Sequence, residues 1–257
     1  GKKFAIRLKS AGDGTKKIKF HDGAKGDVEI IENSMDAILL KDDLIPTYHF
    51  AHAVDDTLMG TTVVVRGEEW LPSYPLHVEI FNALGFKQPK YIHTPLIYKF
   101  NEKGNKIKIS KRKHPEADMR FFDKEGYDKE AVIEYLTNLI NSNFETWRAK
   151  NPTADIMEFP FDGFKITANT PIFDFVKLND VSKEIISRYS ADRCYADLLA
   201  WAREYSLENV DYLVKDKEYV TKILNIDREK PKPRKDIYKW SMFFELYDYM
   251  FSDPTHY

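Results

Sequence analysis

The sequence predicts an α/β fold joined to an α-helical region, and three observations predict it. Short alternating apolar runs separated by Gly/Asp turns fill residues 1–45, which therefore read as β. Residues 46–118 follow a helix, strand, helix, strand rhythm, that of half a doubly wound, Rossmann-like sheet. From 119 to 257 the apolar residues recur at helical spacing. A chain of 257 residues suffices for roughly one or two domains.

Each element has its own signal. Phe4, Ile6 and Leu8 alternate with Ala5 and Arg7, and Ile18–Phe20, Asp27–Ile31 and Ala37–Leu40 continue the pattern. The turns Ala11-Gly12-Asp13-Gly14 and Asp22-Gly23 with Gly26 separate these runs, so a small antiparallel sheet is expected. Tyr48–Met59 reads as a helix stopped by Gly60. Thr61–Val65 is β-branched throughout, which suits a buried strand. Pro75–Leu84 reads as a helix with Leu76, Ile80, Phe81 and Leu84 on one face and Gly85 as its stop, and Tyr91–Tyr98 as a strand. Lys129–Ser142, Val181–Tyr189, Arg193–Tyr205 and Glu218–Leu224 read as helices. Pro231 and Pro233 interrupt the pattern before a final helix over about Arg234–Phe251.

Composition excludes several classes. With 39 basic and 41 acidic residues the chain is not a globally basic nucleic-acid binder, although local basic patches are compatible with it. No window approaches ~18 uncharged apolar residues, so no transmembrane helix is expected. One cysteine, Cys194, forms no internal disulfide and no Cys-rich zinc site, and fits a reducing compartment. There is no G-x-x-x-x-G-K-[ST], G-x-G-x-x-G or G-x-S-x-G pattern, which removes support for P-loop NTPases, dehydrogenases and serine hydrolases.

Three segments carry possible chemistry. His49 and His52, three apart on a helix with Asp55 and Asp56 beyond, read either as a metal-ligand face or, far more often at this spacing, as one wall of a polar pocket or ordinary helix-surface residues. Arg66 follows a β run directly, at the strand end where open α/β sheets bind ligands, and Gly67 lets backbone come close. Its fork suits a carboxylate; an ion pair with Glu68 or Glu69 is the plain alternative. Lys106, Lys108, Lys111, Arg112 and Lys113 crowd a loop that suits a polyphosphate or, more ordinarily, solvent.

Taken in order, Pro46-Thr47-Tyr48-His49-Phe50-Ala51, Val54–Gly60, Val65-Arg66-Gly67-Glu68-Glu69-Trp70-Leu71 and Lys108-Ile109-Ser110-Lys111-Arg112 resemble class I glutamyl-tRNA synthetase of the bacterial type, the last being its KMSKS-type loop. Ala5–Lys9 and Asp36–Lys41 resemble its inserted acceptor-end domain, and Glu125–Tyr127 and Phe173–Leu178 its stem-contact region. The resemblance implies that residues 1–45 belong to the β-rich acceptor-end insertion. Residues 46–118 are then the second half of the nucleotide-binding domain, and 119–257 a helical stem-contact region and the start of an anticodon-binding bundle.

It further implies a two-step reaction, in which glutamate attacks ATP to give glutamyl-adenylate and pyrophosphate, and a tRNA ribose hydroxyl then takes the glutamyl group. Tyr48, His52 and Arg66 are implied as glutamate-binding, and Glu69, Trp70, Leu96, Ile97, Lys108 and Lys111 as ATP-binding. Lys108, Ser110 and Lys111 form the catalytic loop. ATP is the implied substrate with Mg2+ beside it, and structural zinc is not expected. Implied partners are tRNA(Glu), with tRNA(Gln) left open, in a cytoplasmic monomer. Arg7, Lys9, Lys16, Lys17 and Lys19, with Arg228, Lys230, Lys232, Arg234 and Lys235, are candidates for RNA contact, each with a plain reading as surface charge.

The family's His-Ile-Gly-His-like tetrad is absent, since the histidines stand at 21, 49, 52, 77, 93, 114 and 256. The expectation is therefore a fragment without that half, unable to aminoacylate alone. The rival readings are a glutaminyl-tRNA synthetase, a shortened paralogue that modifies a tRNA base, and a non-catalytic RNA-binding module. Glu68-Glu69-Trp70-Leu71, the helical region 119–257 and the intact Lys108–Arg112 loop argue against them in turn.

Overall fold

The structure, a computed structural model, describes residues 3–167 and 170–251. It divides into two compact units. The first runs to Leu96 and includes Phe161–Thr170; the second comprises Ile97–Pro160 and the chain from Pro171 onward.

In the first unit, β1 (Ile6–Arg7) pairs antiparallel with β4 (Ile38–Leu40), and β2 (Lys17–Asp22) forms a hairpin with β3 (Gly26–Ile31). Then follow α1 (Tyr48–Leu58), β5 (Val63–Gly67), a 3-10 stretch Glu68–Ser73, α2 (Tyr74–Leu84) and β6 (Lys90–Thr94). The helices α1 and α2 end where expected, beside Gly60 and Gly85. Strands β5 and β6 run parallel with Arg66 opposite His93, as the helix–strand rhythm requires.

The hairpin does not form a sheet of its own. The strand order is β3-β2-β6-β5, because β2 joins β6 in parallel at Asp22↔Tyr91. Alternation alone cannot reveal this, since it fixes a strand's faces but not its neighbour. Strand β5 lies at an edge, and Val63 and Val65 are exposed, where a buried strand was expected. The unit's core is Leu8, Ala53, Leu76, Ile80 and Phe81. Leu84, at the end of α2, is exposed, while His77 shares the buried stripe.

In the second unit β7 (Tyr98–Phe100) pairs antiparallel with β8 (Lys106–Lys108). The predicted strand 91–98 is thus two strands. Pro95 has no N–H for a ladder, and β6 stops one residue before it. Among the described residues eight helices follow: α3 (Met119–Glu125), α4 (Lys129–Ile140), α5 (Phe144–Lys150), α6 (Phe175–Ser187), α7 (Ala191–Tyr205), α8 (Val210–Lys215), α9 (Lys217–Asn225) and α10 (Phe243–Tyr247). Side chains of Asp118, Asp128, Asp174, Ser190 and Asp216 accept hydrogen bonds from the first-turn amides of α3, α4, α6, α7 and α9. Helix α6 therefore begins at its Asp cap, six residues before the expected Val181.

The core gathers Leu198, Leu213, Val220 and Phe243, all fully buried, around Cys194, whose thiol burial pushes up to about 11. A continuous helix over 234–251 does not form; the chain reaches Lys239 without regular structure and coils only in short turns around α10. Long-range bonds compete with the helix there: the Trp240 amide donates to the Gly126 carbonyl (2.7 Å) and the Ser241 hydroxyl to the Glu125 carbonyl (2.6 Å).

Candidate active site

Arg66 leaves the C-terminal end of β5 and is held on three sides. Its Nε donates to His93 Nε2 (2.9 Å), its Nη1 to His77 Nδ1 (3.0 Å), and the guanidinium lies 4.8 Å from the Tyr91 ring centre. Arginine only donates, so both imidazole nitrogens facing it accept, and each ring carries its proton on the other nitrogen. His93 Nδ1–H then donates to Asp22 Oδ2 (2.5 Å), and His77 Nε2–H to His49 Nδ1 (2.8 Å). Asp22, His77 and His93 are all fully buried.

The electrostatics fit this donor order. Burial raises the Asp22 carboxyl, but bonds from the His93 ring and amide and from the Ala24 and Lys25 amides outweigh it and hold it at about 2. Burial, then the charge of Arg66, pushes His77 down to about 2, so it stays neutral. Burial likewise lowers Arg66, which nevertheless remains charged as arginines do. Among the described residues no carboxylate lies within ion-pair distance of Arg66, and its Nη2 is buried without a hydrogen-bond partner. The expected alternative, an Arg66–Glu68 or Arg66–Glu69 pair, does not form. Glu68 instead takes the Lys25 ammonium (2.5 Å) and the Leu96 amide (3.3 Å).

Tyr48, the first residue of α1, is about half exposed and stacks on Trp70 at 4.5 Å between ring centres. Its phenol is near enough to favour the charged form of Arg66. His52 is different from expectation. Its Nδ1–H donates to Asp56 (2.6 Å), its Nε2 accepts from the Tyr91 hydroxyl (2.9 Å), and its side chain is 6% exposed. Both nitrogens are satisfied by protein, and through Tyr91 the ring backs the group that underlies Arg66. The His49 and His52 rings both pack against His77, at 5.1 and 4.6 Å between ring centres; among the described residues no three His, Cys, Asp or Glu groups are placed to hold a metal ion. Glu69 is exposed, and its carboxylate folds over Gly67 so closely that a Cβ there would lie 2.0 Å from Oε2.

The remaining expected residues lie in the second unit. Ile97 leads into β7, and its carbonyl accepts the Ile109 amide (3.1 Å). Lys108 ends β8, opposite Tyr98. The turn that follows is closed by His114: its Nδ1 accepts the Ser110 amide (3.1 Å), and its own amide donates to the Ser110 carbonyl (2.9 Å). This fixes the backbone under Lys111, Arg112 and Lys113, whose exposed side chains make no ion pair with the described residues. An unneutralised cationic loop is suited to an anionic ligand.

Sequence reasoning missed Asp22, His77 and His93. Asp22 reads as a turn residue, and nothing local ties it to a histidine 71 positions away. The one available signal was His93 sitting at the end of β6, level with Arg66. Of the RNA-contact candidates, Arg228 is corrected: its guanidinium is turned inward onto the Leu224, Ile186 and Tyr189 carbonyls at the ends of α9 and α6. Lys19, Lys230, Arg234 and Lys235 pair with Glu29, Asp227, Asp236 and Glu184.

Known proteins resemble the whole chain. A glutamate–tRNA ligase of Clostridium beijerinckii is 47% identical over 253 residues, covering 98% of this chain and 46% of its own length. One from Acetivibrio thermocellus is 44% identical over 250 residues, covering 97% and 46%. The crystal structure of a glutamate tRNA ligase from Elizabethkingia meningosepticum in complex with its amino acid superposes with a TM-score of 0.75 at 26% identity, covering 98% of this chain and 50% of that one. The chain thus spans about half the length of the curated relatives it matches. Residues 1–149, more than half the chain, match the family model for the catalytic domain of class I (E and Q) tRNA synthetases, and the chain belongs to that family.

Proposed function

We propose that the chain is the part of a glutamate–tRNA ligase that grips glutamate and drives its activation by ATP. Arg66 binds a glutamate carboxylate, with the Tyr48 hydroxyl beside it; Trp70, Glu69 and the backbone at Leu96 and Ile97 take the nucleotide. Lys108 and Lys111, on a turn held at Ser110, neutralise the phosphates as pyrophosphate leaves. The glutamyl group then passes from the adenylate to tRNA(Glu), in the cytoplasm where translation occurs. Residues 1–45 serve the acceptor end and 119–257 the tRNA stem in this reading. Magnesium travels with ATP in this reading.

One observation carries the proposal: a buried guanidinium with an unused donor and no acid of its own. A buried cation without a counterion is costly, and a carboxylate ligand removes that cost. With the side-chain carboxylate of glutamate as that ligand, the neutral side-chain amide of glutamine does not remove the cost, which favours the glutamate reading over the glutaminyl one. The names of the relatives support the same choice.

Charging of a tRNA pool with labelled glutamate and, in parallel, glutamine tests it. The assay uses the chain as given and a polypeptide extended to the relatives' full length. Glutamyl-tRNA from the extended polypeptide is expected. Charging with glutamine, or with neither, would refute the proposal.

A further inference from the structure

The groups that hold Arg66 are unusual. Its two protein acceptors are both imidazoles, and one of them is backed by a carboxylate that never touches the arginine. Asp22 supplies that carboxylate from the last residue of β2, where the hairpin meets β6. Its Oδ1 also accepts the Ala24 and Lys25 amides (3.0 Å each) and the His93 amide (3.1 Å), while Oδ2 faces His93 Nδ1 (2.5 Å).

We infer that Asp22 is a positioning residue for Arg66: it holds the His93 proton on Nδ1, so that Nε2 stays an acceptor for Arg66 Nε and the guanidinium is locked with Nη2 left unpaired. The inference rests on Arg66 being the carboxylate-binding group. The geometry separates two designs. A carboxylate placed directly on Arg66 would also orient it, but would occupy the fork and cancel the charge a ligand must find. Behind an imidazole, Asp22 fixes direction and leaves the charge uncompensated at contact distance. At Nη1 the neutral His77 ring plays the part of His93, its Nε2–H donating to His49 Nδ1. Both rings are fully buried, so water cannot substitute for a wrong tautomer.

The substitution Asp22→Asn isolates this role from that of a hairpin anchor. Asn keeps the shape and one oxygen. Turned to keep the Ala24, Lys25 and His93 amides satisfied, it presents N–H₂ to His93 Nδ1. Two donors then face each other, and the conflict is relieved if His93 moves its proton to Nε2. That nitrogen now donates towards Arg66 Nε–H, and the lock is lost. The opposite rotamer sets the amide nitrogen against two or more backbone donors and is worse.

The test is long-range ¹H–¹⁵N spectroscopy of the histidine rings near pH 7, with an L-glutamate titration, on the full 257-residue chain. In the unsubstituted chain, His93 is expected protonated at Nδ1 and His77 at Nε2; either opposite tautomer overturns the inference without any variant. In D22N, the His93 proton is expected at Nε2, with glutamate affinity at least tenfold weaker in a chain that still gives a folded spectrum. An unmoved proton with affinity within twofold overturns it. Arg66→Ala separates the two levels. Undiminished glutamate binding in that variant, or none in the unsubstituted chain, would refute the carboxylate reading, whereas the tautomer readout needs no ligand and judges Asp22 by itself.

Discussion

Asp22 makes the stability of the first unit depend on acid, and the structure sets the size of the effect. The perturbation is Asp22→Asn, compared with the unsubstituted chain between pH 7 and pH 3. In the folded chain the carboxyl is held at about 2 against an ordinary 3.8. At about 1.36 kcal/mol per pH unit, this difference favours the folded state by about 2 kcal/mol. The folded value lies below the unfolded one. The contribution is therefore fully present above pH ~4 and is lost as the pH falls through about 2, with about half remaining at pH 3. Against a typical stability of about 5–15 kcal/mol the variant stays folded at neutral pH. Trp70 is the one tryptophan of this unit, so urea unfolding followed by the ¹⁹F signal of fluorotryptophan at position 70 reads the right part of the chain. The expected result is a gap of about 2 kcal/mol at pH 7 that closes to about half at pH 3. A gap that does not change with pH, or one below about 0.5 kcal/mol at pH 7, would mean that Asp22 is not held ionised by His93, and the donor order around Arg66 would be wrong.

Three further outcomes are expected. Arg66→Lys keeps the charge but cannot serve both His77 and His93 and still offer a fork, so glutamate affinity should fall about 30- to 300-fold by calorimetry; a change under threefold would remove Arg66 from the ligand. Lys111→Ala removes an exposed cation without an ion pair among the described residues, so the unfolding free energy in urea should stay within about 0.5 kcal/mol while ATP–pyrophosphate exchange by the extended polypeptide drops about 100-fold; unchanged exchange would reduce the loop to surface charge. Gly126→Ala should destabilise the second unit by about 2–3 kcal/mol, because φ is 83° and the new Cβ would meet the Ser241 and Trp240 amides at 2.8 and 3.0 Å; a neutral result in thermal unfolding would show that this backbone contact yields easily.

What was legible in the sequence is what local chemistry encodes. Gly60 and Gly85 stop α1 and α2, β-branched residues make β5, and Arg66 stands at a strand end. Tyr48, Arg66 and Trp70 do gather, because one short helix, one strand and one 3-10 turn bring them together within 23 residues. The rest is set by pairings that no local pattern carries. Pro95 announces the end of β6 to a reader who weighs the missing N–H, whereas the bond from Trp240 back to Gly126 gives no such notice, and a helix was expected where it forms. The same limit explains the site. Alone, Arg66 is equally an ion-pair partner for Glu68 or a ligand-binding fork. Two buried histidines take its Nε and Nη1 in place of a carboxylate, one on a helix face and one on the neighbouring strand, and an aspartate from a separate hairpin faces the second of these rings. A charge can be read from sequence. Whether that charge is already spent depends on its neighbours in space, and at Arg66 those neighbours are acceptors that carry no charge to cancel it.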